Sequence, residues 1–189
     1  MNNHTDIRTG TDRGPGSERD RGPYRICFVC TGNICRSPMA EWVMHARVAA
    51  AGLSGAVAVD SAGTGDWHVG EGADPRTVRV LAQHGYPSRH VARQFEPADL
   101  GRRDLVVAMD SGHLRTLRRW TGSPASAAEH PAELRLLREF DPGAGPDRLD
   151  VPDPYYGSLA GFEECLAMVE GAMPGLLSHI GKALETRAG

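Results

Sequence analysis

Apolar residues along this chain fall into two kinds of run. Three are short and nearly continuous: Arg25-Ile-Cys-Phe-Val-Cys30, Ala56-Val-Ala-Val-Asp-Ser61 and Asp104-Leu-Val-Val-Ala-Met109. Runs of that length, flanked by polar residues, suit strands, and the third suits a strand buried on both faces of a parallel sheet. Between them the apolar positions take helical spacing. Met39, Val43, Ala46 and Ala50 follow Ser37-Pro38, a helix start in which Ser offers a cap and Pro tolerates the first turn, and Gly52 is a plausible stop. Further helices are predicted over Asp74 to His84, closed by Gly85, over Gly112 to Trp120, and from Ser158 to about Lys182, with a kink expected at Pro174. Leu134 to Phe140 reads as a fourth strand, while Gly63 to Gly72, residues 121 to 132 and Asp141 to Gly157 read as loops. Strands alternating with helices predict a single α/β domain with a parallel sheet, whose ligand site lies at the carboxyl ends of the strands.

Composition narrows the class. The 189 residues suit one domain, and a net charge of -3 excludes a strongly basic nucleic-acid binder. No run approaches the ~18 consecutive apolar residues of a membrane span. Residues 1 to 23 carry four arginines balanced by four acidic residues, with Met1 and Ile7 as their only sizeable apolar side chains. Such a stretch supplies no apolar core for a signal peptide and cannot offset its ordering entropy, so it is expected to be a disordered, solvated tail before a domain spanning 24–189. Of four cysteines, Cys27, Cys30 and Cys35 crowd into nine residues. Crowding of that kind suggests chemistry or metal rather than disulfide staples.

The first strand-to-helix junction, Cys30-Thr-Gly-Asn-Ile-Cys-Arg-Ser37, combines a nucleophile with an anion site. The loop can curl its backbone N–H groups inward, and the following helix adds the positive end of its dipole. Gly32 and Asn33 tolerate the left-handed conformations that such nests use. A thiol at Cys30 lies in positive potential, which favours the nucleophilic thiolate. Six residues on, Arg36 offers a planar fork for two phosphate oxygens. Cys27-Phe-Val-Cys30 has zinc-like spacing, but it lies along a strand and no second pair accompanies it. A Walker-type loop would need a lysine that this stretch lacks.

Cys30-Thr-Gly-Asn-Ile-Cys-Arg-Ser-Pro-Met-Ala-Glu41, with Asp60-Ser-Ala-Gly, Asp66-Trp-His, His84-Gly and Asp153-Pro-Tyr-Tyr156, resembles the low-molecular-weight protein tyrosine phosphatases over roughly residues 24 to 182. The resemblance implies a four-stranded parallel sheet flanked by helices, a cytoplasmic protein, and hydrolysis of phosphotyrosine in protein substrates with no metal or cofactor. Neither nucleic acid nor membrane is an expected partner, and a monomer or weak dimer is expected. Cys30 would be the nucleophile, Arg36 and the amides of Thr31, Gly32, Asn33, Ile34 and Cys35 the phosphate cradle, and Asp153 the general acid between Pro152 and Pro154. Asp150 is the fallback acid and Asp141 a third choice. Trp67, Tyr155 and Tyr156 would wall in a phenyl ring, or simply pack half-buried, with His68 on the rim. The family further implies that Asn33 and Ser61 hold the loop and that Ser37, oriented by His90, donates to the thiolate; Ser37 could equally be a helix cap. Cys35 is a candidate to trap oxidised Cys30 as a disulfide, and Cys27 and Cys165 read as buried small residues. Three rivals remain: an arsenate reductase, which needs further relay cysteines; a protein-arginine phosphatase, against which Ile34 and the tyrosine pair count; and a phosphotyrosine-binding module without turnover.

Overall fold

In the computed structural model, residues 22–126 and 132–188 are described. The expected tail therefore lies outside them up to position 21, as do residues 127–131 of the loop expected at 121–132. Four strands, β1 (Tyr24–Cys30), β2 (Val57–Gly63), β3 (Leu105–Ala108) and β4 (Glu133–Leu136), form one wholly parallel sheet in the order β2-β1-β3-β4. Its helices are α1 (Arg36–Ala50), α2 (Pro75–Gln83), α3 (Ser111–Thr121) and α4 (Leu159–Ala188). Strand β1 has no exposed residue, as its apolar run requires. Ile26 and Phe28 face one core with Met39, Val43, Leu166 and Val169 of α1 and α4, whereas Cys27 and Val29 face the other with Leu114 and Leu117 of α3. The chain order reverses direction between β1 and β3, which opens a crevice at their carboxyl ends.

Helix starts follow local chemistry. Asp74 caps α2 through Arg76 N (2.8 Å) ahead of Pro75, and Asp110 caps α3 through His113 N (2.9 Å). Helix α1 departs from expectation. It begins at Arg36 after Cys35, with no side-chain cap, so Ser37 lies inside the first turn and its hydroxyl is free for other use.

The fourth strand is shorter than predicted. Pairing with β3 ends at Leu136, and Leu137–Phe140 winds into a 3-10 turn, closed by the Glu139 carboxylate accepting from Leu136 N at 3.0 Å. A second 3-10 turn, Pro97–Arg102, was not foreseen; its start is a capping box in which Asp99 accepts from Glu96 N (3.1 Å). Helix α4 runs unbroken through Pro174 and reaches Ala188, past the expected end near Lys182.

The turn after β4 packs on α4 at Gly175, where a Cβ would lie 2.2 Å from the Phe140 carbonyl oxygen. Alanine for glycine in a helix normally gains about 0.5–1 kcal/mol. Here overlap with a backbone atom outweighs that gain. Gly175→Ala is expected to cost about 1–3 kcal/mol, seen as a lower urea midpoint with unchanged slope. An unshifted midpoint would mean that helix and turn do not approach so closely.

Candidate active site

The loop after β1 curls beneath the amino end of α1. Asn33 is the only non-glycine described residue with positive φ, at 57°, and its side chain is saturated. Its Nδ2 donates to Ser37 Oγ (2.9 Å) and Ser61 Oγ (2.8 Å), and its Oδ1 accepts from Arg93 N (3.0 Å). Ser61 in turn donates to Glu41 Oε2 at 2.6 Å. With Asn33 supplying a proton to Ser37 Oγ, the single Ser37 proton is left for Cys30 Sγ, 3.0 Å away, or for the more distant Ala62 carbonyl at 3.4 Å, and a Cys30 thiolate is the stronger acceptor. His90 acts elsewhere than expected: its Nε2 lies 2.6 Å from the Asn33 carbonyl, and its Nδ1 3.6 Å from Glu41 Oε2, so it fixes Asn33 rather than Ser37 itself. Gly32 also serves differently. Its φ is not positive, but a Cβ there would meet His68 Cδ2 at 2.8 Å, so a bare backbone is what lets the His68 ring close over the loop.

Arg36 is buried and gripped along both ends of its guanidinium. Nη1 donates to Asp110 Oδ2 (2.9 Å) and to the Val151 carbonyl (3.2 Å); Nη2 donates to Asp153 Oδ2 (2.7 Å) and Thr31 Oγ1 (3.3 Å). Its Nε is buried without a protein partner. Nε and Nη2 together form one edge of the fork. With Nη1 tied back to protein, that edge is the one positioned to take two oxygens of an anion.

A cleft of about 400 Å³ opens onto these groups, lined by Cys30 and the loop below and by Trp67, His68, Asp153, Tyr155 and Tyr156 above. Cys30 is only 2% exposed, while Trp67 is 71% and Tyr156 94% exposed, so a recessed sulfur lies beneath a raised aromatic rim. Tyr155 and Tyr156 meet edge to face at 5.0 Å, and the His68 ring sits 6.4 Å from Tyr155. Arg76 Nη2 donates to the Tyr155 carbonyl and Nη1 to that of Gly157, both at 3.0 Å, which ties the Asp153 loop to α2.

The candidate acids separate cleanly. Asp153 lies at the cleft, its Oδ1 accepting from Tyr155 N at 3.1 Å. Asp150 instead caps α3 through Ser111 N (2.7 Å) and Ser111 Oγ (3.1 Å), and Asp141 caps its own turn through Gly143 N (2.8 Å). Cys35 is buried, and burial together with Asp74 pushes its thiol well up. Cys165 is buried in α4, with its thiol pushed up to about 12 chiefly by burial.

Sequence reasoning missed Glu41, Arg93, Asp110 and His113. Asp110 was the most findable, being a carboxylate at the carboxyl end of a predicted central strand. Burial alone would raise its pKa, but hydrogen bonds from His113 and the Arg36 charge overcome this and hold the carboxyl well below the usual range. A carboxyl lowered on folding contributes stability that is complete above its unfolded value near 4 and is lost as pH falls through the folded value. Asp110→Asn is therefore expected to be less stable than the parent at pH 7, with the difference shrinking below pH 4 in urea titrations. A difference constant from pH 7 to pH 2 would contradict the linkage.

A cysteine and an arginine with five residues between them, on a loop between the inner strand of a parallel sheet and the helix it opens, define the cysteine-phosphatase class of phosphate-binding site. Residues 25–186 match the family model of the low molecular weight phosphotyrosine protein phosphatases. A Streptomyces coelicolor low molecular weight protein-tyrosine-phosphatase is 60% identical over 165 residues, covering 87% of this chain and 98% of its own. Among solved structures, a protein tyrosine phosphatase from Entamoeba histolytica superposes with a TM-score of 0.76 at 30% identity, covering 85% of this chain and 98% of its own. A drosophila arginine phosphatase gives 0.73, also at 30% identity, over 82% and 96%. The chain belongs to the low-molecular-weight protein tyrosine phosphatase family.

Proposed function

We propose that residues 24–189 form a catalytic domain that hydrolyses phosphotyrosine in protein substrates through a cysteinyl-phosphate intermediate, with no metal taking part. The observation that carries this reading is the recessed Cys30 sulfur, 3.0 Å from the Ser37 hydroxyl and flanked by Arg36, beneath walls made by Trp67, Tyr155 and Tyr156. On this reading the raised aromatic rim admits a phenyl phosphate to the recessed sulfur and keeps a shorter phosphoserine side chain from it.

An arriving phosphate dianion competes with Asp153 for Arg36 Nη2 and gains the unpartnered Nε, displacing the Asp153 carboxyl toward the ester oxygen. Cys30 thiolate, stabilised by the Ser37 hydroxyl, attacks phosphorus in line: the S–P bond forms, the P–O bond to tyrosine breaks, and Asp153 gives its proton to the departing phenolate. Asp153, now ionised, takes a proton from water as that water attacks phosphorus, and the S–P bond breaks to release inorganic phosphate. The fork of Arg36 and the loop amides of Thr31 to Arg36 hold the equatorial oxygens in both steps.

We place the enzyme in the cytoplasm, as a monomer or weak dimer that binds neither nucleic acid nor membrane. No described helix is long and apolar enough to cross a membrane. An arsenate reductase would need an accessible relay cysteine, and Cys27 and Cys165 are both buried. The deciding experiment is phosphate release from matched phosphotyrosine, phosphoserine and phosphoarginine peptides in EDTA. Release from phosphotyrosine alone is expected. Preferential release from phosphoarginine would reassign the substrate, and dependence on added metal would overturn the mechanism.

A further inference from the structure

Beside the nucleophile, four side chains close a ring that the two chemical steps do not account for. Arg36 Nη2 donates to Thr31 Oγ1 (3.3 Å), Thr31 Oγ1 lies 2.8 Å from His113 Nε2, His113 Nδ1 lies 2.9 Å from Asp110 Oδ1, and Asp110 Oδ2 accepts from Arg36 Nη1 (2.9 Å). His113 is 6% exposed and does not line the cleft. Its backbone N–H also donates to Asp110 Oδ1 at 2.9 Å, so ring and carboxylate are fixed to one another at the first turn of α3.

We propose that His113 is a positioning residue of the phosphate loop: from outside the cleft it holds Asp110 and Thr31 so that these two grip opposite ends of the Arg36 guanidinium and aim its free edge at the phosphoryl group. The proposal rests on the phosphatase reading of the site. Proton accounting supports it. A bare Nδ1 lone pair facing a carboxylate at 2.9 Å would be repelled, so Nδ1 carries the ring proton, and Nε2 accepts the Thr31 hydroxyl proton. Thr31 Oγ1 keeps its lone pairs for Arg36 Nη2. The guanidinium thus donates into both ends of a threonine–histidine–aspartate chain, whose histidine–aspartate link is a 2.9 Å charge contact of Nδ1 with Oδ1 and not an aligned hydrogen bond. Once the Asp153 carboxyl leaves Nη2 for the ester oxygen, Thr31 is the side chain that still holds that end of the fork, while Asp110 and the Val151 carbonyl hold Nη1. Misplacing a transition-state contact by about 1 Å costs on the order of 10²-fold in rate.

The test compares wild type, His113→Ala, His113→Gln, Thr31→Val and the His113→Ala/Thr31→Val double variant. It reads kcat and KM on a phosphotyrosine peptide, and affinities for orthovanadate, a mimic of five-coordinate phosphorus, and inorganic phosphate by calorimetry. For His113→Ala, kcat is expected to fall about 10- to 100-fold with KM within about threefold, and vanadate affinity should fall much further than phosphate affinity. His113→Gln, whose amide can still reach Thr31, should recover part of the loss. Thr31 is exposed, so Thr31→Val keeps the fold and should lose kcat in the same way even where His113→Ala does not fold. The double variant should be little worse than the poorer single, because the two side chains act as one unit. Full kcat in both His113→Gln and Thr31→Val, or losses that multiply in the double variant, would overturn the proposal. If wild type itself releases no phosphate, the phosphatase reading fails, and unchanged vanadate affinity in the variants would then overturn the ring separately.

Discussion

Cys30→Ser is expected to abolish phosphate release from phosphotyrosine, by at least about 10⁴-fold in kcat, while the protein stays folded and still binds the peptide. A serine hydroxyl carries its proton at neutral pH, and among the described residues the side chain hydrogen-bonded to position 30 is a serine, not a base. The nearest group, Ser37 Oγ, already accepts from Asn33 Nδ2 and is arranged to give a proton, not to take one. The elements that hold the phosphate are untouched by the change: Arg36 keeps its partners at Asp110 and Val151, and Asn33 keeps the loop in its left-handed turn. Binding and turnover should therefore separate. Calorimetry with a phosphotyrosine peptide is expected to show retained affinity in the same sample whose phosphate release has vanished. Turnover within about tenfold of wild type would remove Cys30 from the nucleophile's role, whereas loss of binding along with turnover would point to a collapsed loop.

The phosphate loop was legible because its parts are close along the chain. Strand, nucleophile, Asn33, Arg36 and helix follow within a dozen residues, and each has a local physical reason for its type. What supports the loop was not, because it arrives from afar: Asp110 lies 74 residues from the Arg36 it holds, His113 82 residues from Thr31, and Arg93 60 residues from Asn33. No periodicity or spacing connects such pairs before the sheet brings them to one edge. The same distinction explains Ser37. Its residue type is a favoured cap, but the helix start falls two residues earlier, with Cys35 at the cap position, and the Ser37 hydroxyl turns to Cys30. Likewise the apolar pattern over Leu134 to Phe140 carries no sign that strand pairing stops at Leu136, since the stop is made by Glu139 bonding back to the chain and by the close approach of α4 at Gly175.

Asp153→Ala is expected to reduce kcat on phosphotyrosine by about 10²- to 10⁴-fold, the range that a positioned acid or base supplies. The size of the loss should depend on the leaving group, which distinguishes an acid from a residue that merely steadies Arg36. Tyrosine departs as a strong base, with a conjugate acid near pKa 10, and needs its proton in the transition state. A nitrophenolate is a much weaker base and departs with less help. The variant should accordingly lose far more activity on a phosphotyrosine peptide than on nitrophenyl phosphate, where release of the cysteinyl phosphate, which also uses Asp153, becomes the slower step and accumulates as a burst. Asp153→Asn sharpens the comparison, because its one amide oxygen can still accept from Arg36 Nη2, as Asp153 Oδ2 does, while giving up the contact that Oδ1 makes with Tyr155 N. If steadying Arg36 were the whole contribution, Asn would restore most of the activity and both substrates would suffer alike. With Asp153 as the proton donor, Asn remains as impaired as Ala on phosphotyrosine. That outcome would also account for the loop that carries it, since Arg76 fixes the carbonyls of Tyr155 and Gly157 and keeps the carboxyl within reach of the ester oxygen without burying it, at 41% side-chain exposure.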